Sequence, residues 1–177
     1  MEIGVISVRY ARALLKGATD AHLEDEVYRD MQTLAASFAG VPQLRQTIDN
    51  PMYSKDSKLS LLIAAAGEAP GNLTKSFLGI VLDNGREDVI QFMANSYITL
   101  YRKQKNIIRG KLTTAAAVHP ATEQKMRSMV ESKTNGTVEF ETEVNPDIIG
   151  GFILEYDTYR MDASVKSKLN SIFTALR

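Results

Sequence analysis

The chain has no cysteine and no tryptophan among its 177 residues, only two histidines, and no excess of either charge, with 21 basic and 21 acidic side chains. Each lack excludes something. Without cysteine there is no disulfide framework, no thiolate nucleophile and no cysteine-ligated metal, which fits a reducing compartment. The charges also balance within each half of the chain. Phosphate backbones require a basic excess, so nucleic acid is not an expected partner, and the basic stretch from Arg102 to Lys111 reads as a solvated linker. The longest nearly apolar run, Leu59 to Ala66, contains Ser60 and falls far short of the roughly 20 residues of a membrane span, so no membrane insertion is expected. Glu2, Arg9 and Arg12 interrupt any secretory core near the start, and a bacterial cytoplasmic setting is the default expectation.

Recognisable reaction chemistry is absent too. Arg109-Gly110-Lys111-Leu112 lacks the upstream glycine and the Ser or Thr after lysine that a phosphate loop needs, and Gly150-Gly151 lacks the third glycine and helix start of a dinucleotide fingerprint. His22 and His119 are far apart, each beside turn or cap residues. Asp157 and Asp162 have the residue types of a glycosidase acid pair, but they fall in turn or cap positions. No catalytic residue, cofactor or metal site is expected.

What is present is architecture, organised around Asn145 to Ser164. Asn145-Pro146 breaks the backbone, and Gly150-Gly151 permits close approach or positive φ. Phe152, Leu154 and Tyr156 alternate with Ile153, Glu155 and Asp157 as in a strand. A tight turn and a short return strand follow. Asp162 and Ser164 both suit an N-cap for a final helix carrying Val165, Leu169, Ile172, Phe173 and Leu176 at helical spacing.

The first hundred residues predict six helices: about 7–19, 23–39, 42–48, 54–66, 72–82 and 87–103. Ser54 caps the fourth, and Asn84-Gly85 stops the fifth. The period then changes. Ile107 to Thr114 alternates as a strand, Pro120 opens a helix to about Lys133, and Asn135-Gly136 turns into a strand with Val138, Phe140, Thr142 and Val144 on one side. Glu139, Glu141 and Glu143 line its other side, with Arg109 and Lys111 available as cross-strand partners. The fold class is therefore an N-terminal all-α six-helix bundle, residues 1–104, plus a smaller α+β C-terminal domain, residues 105–177.

Helices one and five are apolar over more than one face, where a helix in a small bundle needs a single stripe. Helix one adds Val8, Ala11 and Leu15 to a face of Ile6, Tyr10, Ala13, Leu14 and Gly17. Helix five adds Leu78 and Leu82 to Leu73, Phe77, Ile80 and Val81. Two readings stand: both helices are central in the bundle, or they form a groove for a partner's amphipathic helix.

Four segments together resemble one family. Arg9-Tyr-Ala-Arg-Ala-Leu14, Asp83-Asn-Gly-Arg86, Ile149-Gly-Gly-Phe152 and Met161-Asp-Ala-Ser-Val165 with Leu169 are similar to the delta subunit of bacterial F-type ATP synthases, the oligomycin-sensitivity-conferring protein family. Two positions depart from the family pattern: Asp157-Thr158 stands where Gly-Asp is common, and Ala163 where Gly often precedes the final Ser. The resemblance implies a non-catalytic stator subunit on the cytoplasmic face of the bacterial inner membrane, joining the catalytic head to the peripheral stalk. It implies that the bundle holds the N-terminal segment of an alpha subunit against helices one and five, which nominates Tyr10, Ala13, Leu14, Phe77, Ile80 and Val81. It implies that the C-terminal domain meets the stalk's b subunits. The alternative is a free-standing helical RNA-binding or protein-interaction module.

Overall fold

The computed structural model describes residues 3–134, 136–156 and 158–175, with Lys133, Thr134 and Ala175 described by backbone only. Glu2, the turn residue Asn135, Asp157 of the acid pair and Leu176 of the last helix lie outside the described residues. The chain divides into two compact units, residues 1–103 and 104–177.

The first unit is helical: α1 (Ile3–Asp20), α2 (Glu24–Gly40), α3 (Pro42–Asp49), α4 (Lys55–Ala65), α5 (Asn72–Asp83) and α6 (Ile90–Lys105), the last entered through a 3-10 turn at Glu87–Val89. α1 begins four residues before the expected Ser7. Ser7 does not cap it: the side chain is buried, and its hydroxyl donates back to the Ile3 carbonyl at 2.7 Å, the bond of a serine inside a helix. Ser54 does cap α4, accepting from the Ser57 N–H at 3.2 Å. α5 is stopped just beyond its C-cap Asn84 by Gly85, with φ +60. Gly85 N–H donates to the Leu82 carbonyl and Arg86 N–H to the Val81 carbonyl, both at 3.1 Å, the paired bonds of a Schellman stop.

The core of this unit is drawn from all six helices, with Ala11, Ala18, Met31, Leu34, Ile48, Leu62, Leu78, Val81, Met93 and Tyr97 all excluded from water. A tyrosine cluster fastens α6 to the start of α2. The Tyr97 hydroxyl donates to the Glu24 carbonyl at 3.1 Å, and the Tyr101 hydroxyl to Asp25 Oδ1 at 2.8 Å. Tyr28 and Tyr101 stack at 4.1 Å. Burial, and then the bond to the Asp25 carboxylate, push the Tyr101 hydroxyl well above the ordinary tyrosine range, so it stays a donor.

The second unit contains β1 (Ile107–Thr114), α7 (Pro120–Thr134), β2 (Thr137–Val144), a 3-10 turn at Pro146–Ile148, β3 (Phe152–Tyr156), β4 (Tyr159–Asp162) and α8 (Val165–Ala175). Its sheet runs β2-β1-β3-β4. β1 and β2 are parallel, and β3 is antiparallel to both β1 and β4. The parallel pair needs a crossover, and α7 supplies it while covering one sheet face. Leu112, Val130, Val138 and Leu154 form that core, with Met126, Phe140, Phe152 and Tyr156 packed against it.

The opposite face is ionic. Arg109 is in register with Glu139 and Lys111 with Glu141, yet each cation pairs one step along. Arg109 meets Glu141, and Lys111 meets Glu143 at 2.6 Å. Long side chains on a strand lean along its direction, which moves the pairs off register. Arg160 holds Glu155 at 3.3 Å. These exposed pairs keep the face soluble and contribute little stability.

Candidate partner-binding surfaces

α1 divides into two faces. Ile6, Ser7, Ala11, Leu14, Leu15 and Ala18 point into the bundle. Ile3, Val5 and Val8 stand in water, Val5 with 52% of its surface exposed. Gly4, Val5, Val8 and Ala13 share one exposed face with Arg9, Arg12 and Lys16, the basic side chains standing among the apolar ones. A second hollow, an open cleft of about 280 Å³, lies between α1 and α6. Its walls include Gly4, Ser7, Val8, Phe92, Ser96 and Leu100.

The six nominated residues separate in space. Leu14, Phe77 and Val81 are buried, Tyr10 is half-buried, and Ala13 and Ile80 are exposed. The apolar breadth of α5 has a structural cause: Phe77, Leu78, Val81 and Leu82 are all buried, on a helix that packs against both α4 and α2. Ile80, 55% exposed, is its outward apolar residue. Ile3 and Val5 are absent from the sequence-based set. Starting α1 at Ser7 hid them, although Val5 and Val8 lie one helical turn apart.

α8 has its own uncovered face. Ser164 caps it, accepting from the Ser167 N–H at 3.2 Å. Asp162 works beside it, accepting from the Ser164 N–H at 3.0 Å and from the Ser167 hydroxyl at 2.8 Å. The two cap residues named from sequence thus act together. The hydrogen bonds from Ser164 and Ser167 hold the Asp162 carboxyl below the usual aspartate range. Beyond this cap, Val165, Leu169, Ile172 and Phe173 are all exposed.

Among the described residues no group of three His, Cys, Asp or Glu is placed to hold a metal ion. No described helix is long and apolar enough to cross a membrane. What the geometry offers is helical surface for other helices.

The sequence pattern of the family described as ATP synthase delta (OSCP) subunit matches residues 6–176. The chain belongs to that family. It is 47% identical over 173 residues to the ATP synthase subunit delta of Phocaeicola vulgatus, covering 97% of this chain and 94% of that one. With the subunit delta of Parabacteroides distasonis it shares 43% identity over 176 residues, 99% of this chain and 98% of the relative. A chain of the Toxoplasma gondii mitochondrial ATP synthase hexamer has the same fold, with a TM-score of 0.64 at 22% identity over 96% of both chains. As a delta-family chain it is a structural stator subunit of an F-type ATP synthase and not the catalytic one.

Proposed function

We propose that the helical unit binds the N-terminal segment of an alpha subunit, that the α+β unit meets the ends of the stalk's b subunits, and that the chain lies peripherally at the cytoplasmic face of a bacterial inner membrane. In this arrangement the chain holds the catalytic head still against the torque of the rotor. It carries no reacting group for that task. Its contribution is binding free energy at two interfaces.

The observation that carries the reading is the set of apolar side chains left in water on α1 of a delta-family chain. Val5, Val8 and Ala13, with Ile80 of α5, offer the contact. Tyr10 is reached at its exposed part. Leu14, Phe77 and Val81 stand beneath, in the core, and set the shape of the surface from below. Apolar side chains held in water favour burial against a second helix.

The test is titration of a peptide copying the alpha subunit's N-terminus against the wild-type chain and Ala13→Asp, with thermal melts of both. Ala13 is exposed, so the variant is expected to fold. An unpaired charge buried in the contact costs several kcal/mol, and every ~1.4 kcal/mol is tenfold in affinity, so binding should weaken by at least about a hundredfold. Equal affinity in two equally stable proteins would move the interface elsewhere. Recovery of alpha and b subunits with the tagged chain tests the wider assignment.

A further inference from the structure

α8 is held by its cap and by the turn before it, and nearly all its side chains stand in water. Counting about 100° per residue, Val165, Leu169, Ile172 and Phe173 fall in one stripe, with Lys166 along one edge and Lys168 along the other. Neither lysine is in an ion pair among the described residues. Nor does Val165–Ala175 contain an acidic residue. Asn170, Ser167, Ser171 and Thr174 occupy the polar side. An isolated helix of this length is marginal in water, so its apolar face requires a partner.

A second observation lies at the N-terminal end of the stripe. Ile149 has φ +70 and ψ −41, a backbone region that a β-branched residue rarely enters. The conformation is held on both sides. Asn145 Oδ1 accepts from the Asp147 N–H at 3.0 Å, and Ile149 N–H donates to the Pro146 carbonyl at 2.9 Å. Val165 N–H donates to the Gly150 carbonyl at 3.0 Å. All this holds an isoleucine that is 62% exposed. Strain of this kind persists where the surroundings over-determine it, and it gathers at sites that hold a ligand.

We infer that Ile149 and the α8 stripe form one docking surface for an acidic amphipathic helix, with Ile149 as a pre-set apolar anchor and Lys166 and Lys168 pairing with carboxylates along both borders. The occupant is a helix because the stripe is helical, apolar and narrow; it is acidic because the lysine on each border is in no ion pair among the described residues. This rests on the reading that the second unit meets the stalk, and it identifies the surface and the chemistry of that contact.

The experiment titrates the water-soluble part of the same organism's stalk b subunit into the full chain at low and at high salt. The variants are Ile149→Gly, the double change Lys166→Glu with Lys168→Glu, and Phe173→Asp. Glycine adopts positive φ freely, so Ile149→Gly should melt no lower than wild type while binding at least about fivefold more weakly. The lysine double variant should lose at least tenfold at low salt and less at high salt, because screening weakens exposed charge pairs. Phe173→Asp should abolish binding. If wild type binds and all three variants bind equally well, this surface is not the contact, though the stalk assignment stands. If the folded wild-type chain does not bind at all, the stalk assignment falls and this inference with it.

Discussion

Asp30, buried on α2, caps a helix that is not its own. Its Oδ2 accepts the Thr74 hydroxyl at 2.6 Å and the Gly71 N–H at 3.0 Å, and these two residues stand at the N-cap and third position of α5. Gly71 itself has no side chain to cap with, so the carboxylate comes from a neighbouring helix. The free N–H groups and the dipole of α5 are met by a negative charge in the core.

Asp30→Ala should therefore destabilise the bundle by about 2–3 kcal/mol, because a buried hydroxyl and an N–H lose their acceptor. Thr74→Val, which removes only one bond, should cost about 1 kcal/mol. Urea unfolding followed by circular dichroism checks both. Equal effects would mean that Asp30 does not serve the Gly71 N–H.

Glu87 and Lys58 form an inward ion pair of the same unit, at 2.8 Å. Burial pushes the Glu87 carboxyl up, but the Lys58 hydrogen bond, a backbone hydrogen bond and the charges of Lys58 and Lys55 together hold it below 4.5. A lowered carboxyl binds protons less readily in the folded state. Its stabilising contribution is thus fully present above pH 4.5 and lost as pH falls through the lower folded value. Glu87→Gln should cost about 3 kcal/mol at pH 7 by leaving Lys58 buried and unpaired. Its melting temperature should also fall less than that of wild type between pH 5 and pH 3. Parallel acid profiles for the two proteins would refute the pairing.

Gly151 and Ser164 set the entry to α8. Gly151 has φ +74, and a Cβ there would stand 2.2 Å from the Ala163 carbonyl oxygen. Gly151→Ala should cost at least about 2 kcal/mol from backbone strain alone, with the contact adding to it. Ser164→Ala should cost about 1 kcal/mol as a lost cap. The lowered Asp162 carboxyl supports the cap above its ordinary value of 3.8 and releases it as pH falls below. Hydrogen exchange at the Ser167 amide, which loses its acceptor, should speed up in Ser164→Ala at neutral pH. Unchanged protection would place the cap elsewhere.

Trypsin should cut first between Arg102 and Arg109. Lys103, Gln104, Lys105 and Asn106 are exposed, and Asn106 turns the chain from α6 to β1 at φ +53. The helical fragment should stay folded, with its circular dichroism retained. Collapse of that signal on cleavage would mean that the bundle needs the rest of the chain.

Most elements were legible because their signals are local. The Schellman stop at Gly85, the cap at Ser54, Pro120 opening α7, and the alternation of β1 and β2 each depend on residues a few positions apart. So does the family membership, carried by four short segments and matched over residues 6–176. The pairing of Arg109 and Lys111 with the β2 glutamates was visible as complementary strand faces, though not the step by which each pair is offset.

Burial, by contrast, depends on what lies opposite. An apolar residue on a helix carries the same local pattern whether its face meets another helix or water. Sequence could therefore mark α1 and α5 as broadly apolar without deciding that Phe77 and Val81 turn inward while Val5, Ala13 and Ile80 turn outward. For the same reason α8 read as an amphipathic helix, while the exposure of Phe173 among the described residues appeared only in three dimensions. The bonds from Asp30 to Thr74 and from Lys58 to Glu87 span 44 and 29 positions. No local rule reaches that far; α2 meeting α5, and α4 meeting the turn before α6, bring those groups together.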